Sequence, residues 1–118
     1  MDTLQVLAGA PPGFSVLGGD DPYLFPLALM GAAGAIAASA NVATERFAAM
    51  IDDGLAGHLA RGRQSAEALL PLVVTLFADP SPAVIKAVLY AQHKLPTPPC
   101  ACHLPTPRRR PSKTRWSR

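Results

Sequence analysis

The residues of this chain that could do chemistry fall into a few small groups. Asp20 and Asp21 stand side by side before Pro22. Adjacent carboxylates can divide general acid and base work. An Asp before a proline is also a helix start: the carboxylate accepts from free amides of the first turn, and proline takes the first helical position. Capping by Asp21 is the simpler account of the pair. Gly18 and Gly19, just before them, read as a turn, and a glycine there also lets a ligand approach the backbone closely. Cys100, Cys102 and His103 have metal-ligand side chains. Three ligands in so short a stretch are too few and too close for a closed zinc site, so no metal is expected. Two cysteines so placed make no disulfide framework either. His58 and His93 fall at helix ends and read as surface residues. Arg108, Arg109 and Arg110 form a basic run without interleaved aromatics, which reads as a solvated tail rather than a nucleic-acid contact. Trp116 adds little to it.

Composition agrees. The chain has 118 residues, enough for one small domain or a piece of a larger one. It is 49% hydrophobic and 16% charged, with a mean hydropathy of +0.20, too apolar to be unfolded throughout. The net charge of +3 belongs to the end of the chain. Residues 1–103 carry 5 Lys and Arg against 8 Asp and Glu, whereas residues 104–118 carry 6 basic residues and no acid. The body is mildly acidic, and nothing in it calls for a polyanionic partner. Pro22 to Thr44 is uncharged over 23 residues, long enough to cross a bilayer. Proline, glycine and asparagine interrupt the stretch, alanine dominates it, and no positive bias orients it, so the membrane reading is not adopted. The N-terminus has no basic n-region, and no secretory signal is expected.

The elements that would position these residues follow from the pattern. Residues 3–9 read as the end of a helix, stopped by Gly9, Pro11, Pro12 and Gly13. Phe14 to Leu17 is an apolar run between turn signals, consistent with a buried strand. A helix is expected from Pro22 through Leu29, then a turn at Gly31–Gly34, then a small-residue strand over Ala35–Ala38. This is a βαβ unit with parallel strands buried on both faces. Phe47, Ile51 and Leu55 mark the apolar face of a helix over 43–56, with Glu45, Arg46, Asp52 and Asp53 off it and Gly54 and Gly57 at its end. A helical stripe over 58–78 (Leu59, Ala66, Leu69, Leu70, Val73, Val74 and Phe77) contains Pro71, which should kink or restart it. Ser81-Pro82 opens a last helix with Val84, Ile85, Val88 and Leu89 on one face. Six of the 13 prolines lie in the last 24 residues, and residues 95–118 read as a disordered Pro/Arg-rich tail behind a folded portion over residues 1–94.

The stretch GGDDPYLFPLALMGAAGAIAASANVATERF resembles the dihydrodipicolinate synthase / N-acetylneuraminate lyase family. That family has a GDD-type turn after the seventh strand of its barrel. A G-x-x-G-x-I-S-x-x-x-N-x-x-P-E segment then makes the eighth strand and the start of its helix. Gly31, Gly34, Ile36, Asn41 and Glu45 stand at matching positions. Gly54 to Gly57, the run Ala66 to Leu72 and the stretch Asp79 to Ala87 continue the likeness in order, over about residues 3–98. Collinear succession carries the resemblance rather than any one motif. It departs at Ala37, where the family often has serine, at Thr44, where it has proline (threonine can still cap), and after Pro98.

The resemblance implies an α/β chain, a C-terminal fragment of a TIM (β/α)8 barrel. It would hold the end of helix six, strands seven and eight and the C-terminal helices: two short parallel strands, about five helices, mostly helical. Family members are class I aldolase-type lyases, cytoplasmic and homo-oligomeric, that hold pyruvate as a Schiff base without metal or organic cofactor. Their lysine closes the sixth strand, and it is expected to lie before Met1, with the residues that bind the carboxylate and relay protons. Lys86, Lys94 and Lys113 are the lysines here, and none follows a strand. Imine formation needs a desolvated or charge-tuned amine in a pocket, and barrel chemistry comes from the carboxyl ends of strands. No catalytic residue is therefore expected in this chain. By resemblance Gly19 lies beside the pyruvate and Ile36 on the pocket wall. The chain is expected to be inactive alone, marginally stable and self-associating. The alternative is a non-enzymatic helical interaction protein that uses its basic tail as a partner arm.

Overall fold

A computed structural model describes residues 3–98. The order is α1 (Thr3–Gly9), β1 (Leu17–Gly18), a 3-10 turn (Asp21–Tyr23), α2 (Leu24–Leu29), β2 (Gly34–Ala35), a 3-10 turn (Ser39–Asn41), α3 (Thr44–Leu55), α4 (Leu59–Leu76) and α5 (Ala83–Ala91). The two strands are parallel, with Leu17 opposite Gly34 and Gly18 opposite Ala35. The βαβ unit expected from the sequence is present, but each strand is shorter than its apolar run and offset from it. The tail's cysteines, arginines, Lys113 and Trp116 lie outside the described residues.

Leu24, Phe25, Phe47, Met50, Leu69 and Val73 form the core, where α2, α3 and α4 meet. Ala35 and Ala37 pack against this cluster, so one face of the sheet is covered by helices. The other face is bare among the described residues: Leu17 is 48% and Ile36 71% exposed. The expectation of strands buried on both faces fails here, because all of the described helical packing falls on one side.

Helix ends follow backbone chemistry. Gly31 (φ +102°) ends α2 and Gly57 (φ +73°) ends α3, both in the left-handed region that a side chain disfavours. Gly54 is not an end marker as expected; it lies inside α3, buried against Phe25 and Ala28. The buried face of α3 is Phe47, Met50 and Gly54, with Ile51 half-buried and Leu55 exposed, a rotation from the expected stripe.

Asp53 was expected off that face but is buried. Its Oδ1 accepts from Arg61 at 2.6 Å and lies 3.2 Å from Nδ1 of His58, so the α3–α4 turn brings it partners. His58 itself is about half exposed, at the N-cap of α4.

Helix α4 does not restart at Pro71 but runs unbroken from Leu59 to Leu76. Pro71 is exposed, so the carbonyl one turn back that loses its amide partner can face water. Thr75 Oγ1 donates to the Pro71 carbonyl at 2.8 Å on the same exposed side. Of the expected stripe, Leu69 and Val73 are buried, while Leu59, Leu70, Val74 and Phe77 are exposed. No helix of the described residues is long and apolar enough to cross a membrane, and the uncharged stretch is divided among four short elements and the first residue of α3.

Candidate functional site

Gly18 and Ala35 define the covered side of the sheet. A Cβ built on Gly18 would lie 3.0 Å from Leu24 and 3.3 Å from Leu27, both on α2. A Cβ built on Gly34 would instead meet Leu17 at 3.4 Å, on the opposite side. Successive residues of a strand alternate faces, so Leu17 and Gly19 share the open face, as do Gly34 and Ile36. The Ile36 amide donates to the Gly18 carbonyl at 2.8 Å, which extends the ladder one residue past β2. Gly19 and Ile36, 17 positions apart in sequence, thus come together at the carboxyl ends of β1 and β2, on the uncovered face. Nothing lies within 4 Å of the direction a Gly19 side chain would take. The Gly19 position faces open space, and Ile36 on the same face is exposed.

Asp21 does not cap its own helix. Asp20 occupies the N-cap position of the first 3-10 turn and makes no side-chain cap bond. Asp21 is the first residue of that turn and is buried. Its Oδ2 accepts from the Ser39 amide at 2.7 Å, and its Oδ1 from the Ala38 amide at 3.3 Å. Those amides open the second 3-10 turn, whose first N–H groups have no partner within the turn. The carboxylate therefore caps, but across the chain, 18 residues away from Ser39. The exposed Asp20 and the buried Asp21 do not form a paired acid–base site.

Ser39 is fully buried, and its hydroxyl has no hydrogen-bond partner among the described residues. Thr44 sits in the first turn of α3, and its hydroxyl donates back to the Ala40 carbonyl at 2.6 Å instead of capping from the position before the helix. Asn41 donates through Nδ2 to the Ala38 carbonyl at 3.0 Å. These bonds brace the segment after β2, and none of them places a nucleophile or a base toward Gly19. Lys86 is exposed on α5, and Lys94 follows that helix with Nζ 3.4 Å from the Asn41 carbonyl oxygen. Neither stands at a strand end. His93 is exposed past the end of α5. No metal-ligating cluster occurs among the described residues.

Resemblance alone singled out Gly19 and Ile36 as expected pocket residues, and the structure sets them on one face of the sheet. Residue order gave no indication that Ala38 and Ser39 receive Asp21, because a side-chain bond to a distant backbone amide leaves no local pattern.

Comparison with known proteins fits this geometry. The chain is 40% identical over 83 residues to the 4-hydroxy-tetrahydrodipicolinate synthase of Neisseria gonorrhoeae, covering 70% of this chain and 28% of that protein. It is 40% identical over 85 residues to the same-named protein of Symbiobacterium thermophilum, covering 72% and 29%. The crystal structure of dihydrodipicolinate synthase from Aquifex aeolicus superposes with a TM-score of 0.71 at 29% identity, over 74% of this chain and 30% of that one. The chain spans less than a third of the length of these relatives, and its parallel βαβ unit with flanking helices corresponds to part of their barrel. The model of the dihydrodipicolinate synthetase family matches residues 1–106, and the chain belongs to that family.

Proposed function

We propose that this chain supplies one section of the pyruvate pocket of a dihydrodipicolinate synthase-like lyase, with Gly19 beside the ligand and Ile36 on the wall. The juxtaposition of Gly19 and Ile36 on one open face at the strand ends carries this reading. In barrel enzymes that rim is where substrates bind. A side-chain-free position there lets pyruvate lie against backbone, and the aliphatic wall shields it from water.

The chemistry itself would come from elsewhere. A lysine that forms an imine with a ketone must be held in the pocket and kept partly neutral. Lys86 lies on α5 and Lys94 after it, neither as the residue that ends a strand, and neither is assigned that role in this reading. The chain by itself would therefore be inactive, and imine formation would belong to a larger barrel of which this is a part. A cytoplasmic, homo-oligomeric parent working on pyruvate without metal or organic cofactor completes the proposal and rests on the family resemblance.

The test is a segment exchange. Residues 3–94 replace the corresponding segment of the Neisseria gonorrhoeae synthase, and borohydride trapping of pyruvate is followed by intact mass. The expected result is a trapped adduct on the chimera and none on the 118-residue chain. A chimera that assembles as its host does but traps no pyruvate would overturn the reading. So would an adduct on the chain alone.

A further inference from the structure

We infer that Asp21 is a positioning residue, whose carboxylate couples the two strand ends and so sets the spacing between Gly19 and Ile36. The inference deepens the pocket reading above and rests on it for its functional meaning. Asp21 lies two residues beyond Gly19, and its acceptors hold the amides two and three residues beyond Ile36. The short β1–β2 ladder ends at the Ile36 amide, so beyond it backbone pairing no longer holds the two loops together. Asp21 is the next described link across the gap. It is 4% exposed, and the Ser39 amide is buried with it, so water cannot readily replace either partner. A buried carboxylate that accepts from two backbone amides forms charge-assisted bonds, which are shorter and stronger than neutral ones. The bond to Ser39 at 2.7 Å has that character. Removing the carboxylate leaves both amides unsatisfied in a confined space, and the loop after β2 then has reason to move toward solvent. Asp21 borders the core residues Phe47, Met50, Leu69 and Val73, but its two bonds go to backbone amides outside α2, α3 and α4, so the site can loosen while the helix–helix contacts remain.

The experiment uses the isotope-labelled full chain with Asp21→Ala, Asp21→Asn and Asp21→Leu. Three readouts are taken: the proton contact between Gly19 and Ile36, the exchange rate of the Ser39 amide, and amide protection in α3 and α4. In Asp21→Ala the Gly19–Ile36 contact should weaken or vanish, and Ser39 exchange should speed up about tenfold or more. Protection in α3 and α4 should persist. Asp21→Asn retains one side-chain oxygen for the Ser39 amide and should restore much of the contact, whereas Asp21→Leu fills the space without an acceptor and should not, which separates the bond from mere space-filling. An unchanged contact in Asp21→Ala overturns the assignment. Loss of α3 and α4 protection along with the contact overturns it too, since Asp21 would then support the whole fold rather than the site. Pyruvate is added last. Shifts at Gly19 and Ile36 that Asp21→Ala abolishes support both readings. Their absence from the unsubstituted chain counts against the pocket and leaves the positioning role judged by the first three readouts.

Discussion

Phe25 of α2 presses its ring against Gly62 of α4, so closely that a Cβ on Gly62 would overlap the ring. Gly54 of α3 lies on the same ring: a Cβ there would stand 3.3 Å from Phe25 and 2.8 Å from the Ala28 Cβ. The two helix-interior glycines form a notch that lets α3 and α4 close on α2, which in turn fixes the covered face of the strands.

Gly62→Ala should therefore destabilise the chain. Alanine is better than glycine inside a helix by roughly 1 kcal/mol. Overpacking against an aromatic ring in a core costs about 1–3 kcal/mol. The overlap is with the body of a buried ring rather than a flexible tip, so the second effect should win. A urea titration followed by circular dichroism measures the balance, and a rise in midpoint would contradict the notch.

Gly19→Ala should leave the fold nearly untouched, because nothing lies within 4 Å of the added methyl and the backbone there is not left-handed. A change within about 0.5 kcal/mol is expected. In the segment-exchange chimera the same substitution should raise KM for pyruvate and weaken borohydride trapping, since the methyl occupies the ligand's space. Equal KM values with and without the methyl would remove Gly19 from the pocket.

Ser39→Ala should be neutral or stabilising by up to about 1 kcal/mol. The hydroxyl is buried without a partner among the described residues, and the bond that matters at this position is made by the backbone amide. Removing an unsatisfied polar atom lifts a desolvation cost, offset by a small void. Thermal melts of the two chains decide this; a clear loss of stability would mean that the hydroxyl has a partner.

Leu24→Ala and Ile36→Ala should separate the core from the open face of the sheet. Leu24 is 1% exposed in the cluster that joins the three helices, and its truncation should cost about 2–5 kcal/mol. Ile36 is 71% exposed, so its truncation should cost under about 0.5 kcal/mol. Comparable losses in parallel denaturation curves would mean that the open face is covered in solution.

Arg61→Ala should cost little, under about 1 kcal/mol, and less in high salt. Although Asp53 is 7% exposed at its side chain, the Arg61 side chain is 72% exposed, and an ion pair with one solvated partner is screened. The check is the midpoint difference between low and high salt; an effect that survives high salt would show a desolvated pair.

Much of this protein was legible from residue order. The apolar runs around a glycine-rich turn and a short helix specified a parallel βαβ unit, because so short a helical crossover brings the second strand back in the same direction. Gly57 and Gly31 marked helix ends through their backbone freedom. The collinear match around Gly31, Gly34, Ile36 and Asn41 identified the family. What misled was local reading of residues whose partners are distant. Asp21 looked like the cap of its own helix, Gly54 like a terminator, Asp53 like a solvent-facing charge, and Pro71 like a break. Each was judged from its immediate neighbours, while its actual environment comes from another element or, at Pro71, from water.

Residue order by itself thus determined the element types, their sequence and the family, since these depend on periodicity, turn chemistry and a matched succession of residues. Only the tertiary structure decided which face of the sheet is covered, which glycines receive Phe25, and where the Asp21 carboxylate goes. Those outcomes depend on which surfaces meet and which amides remain unpaired when they do, and neither is a property of any local stretch of chain.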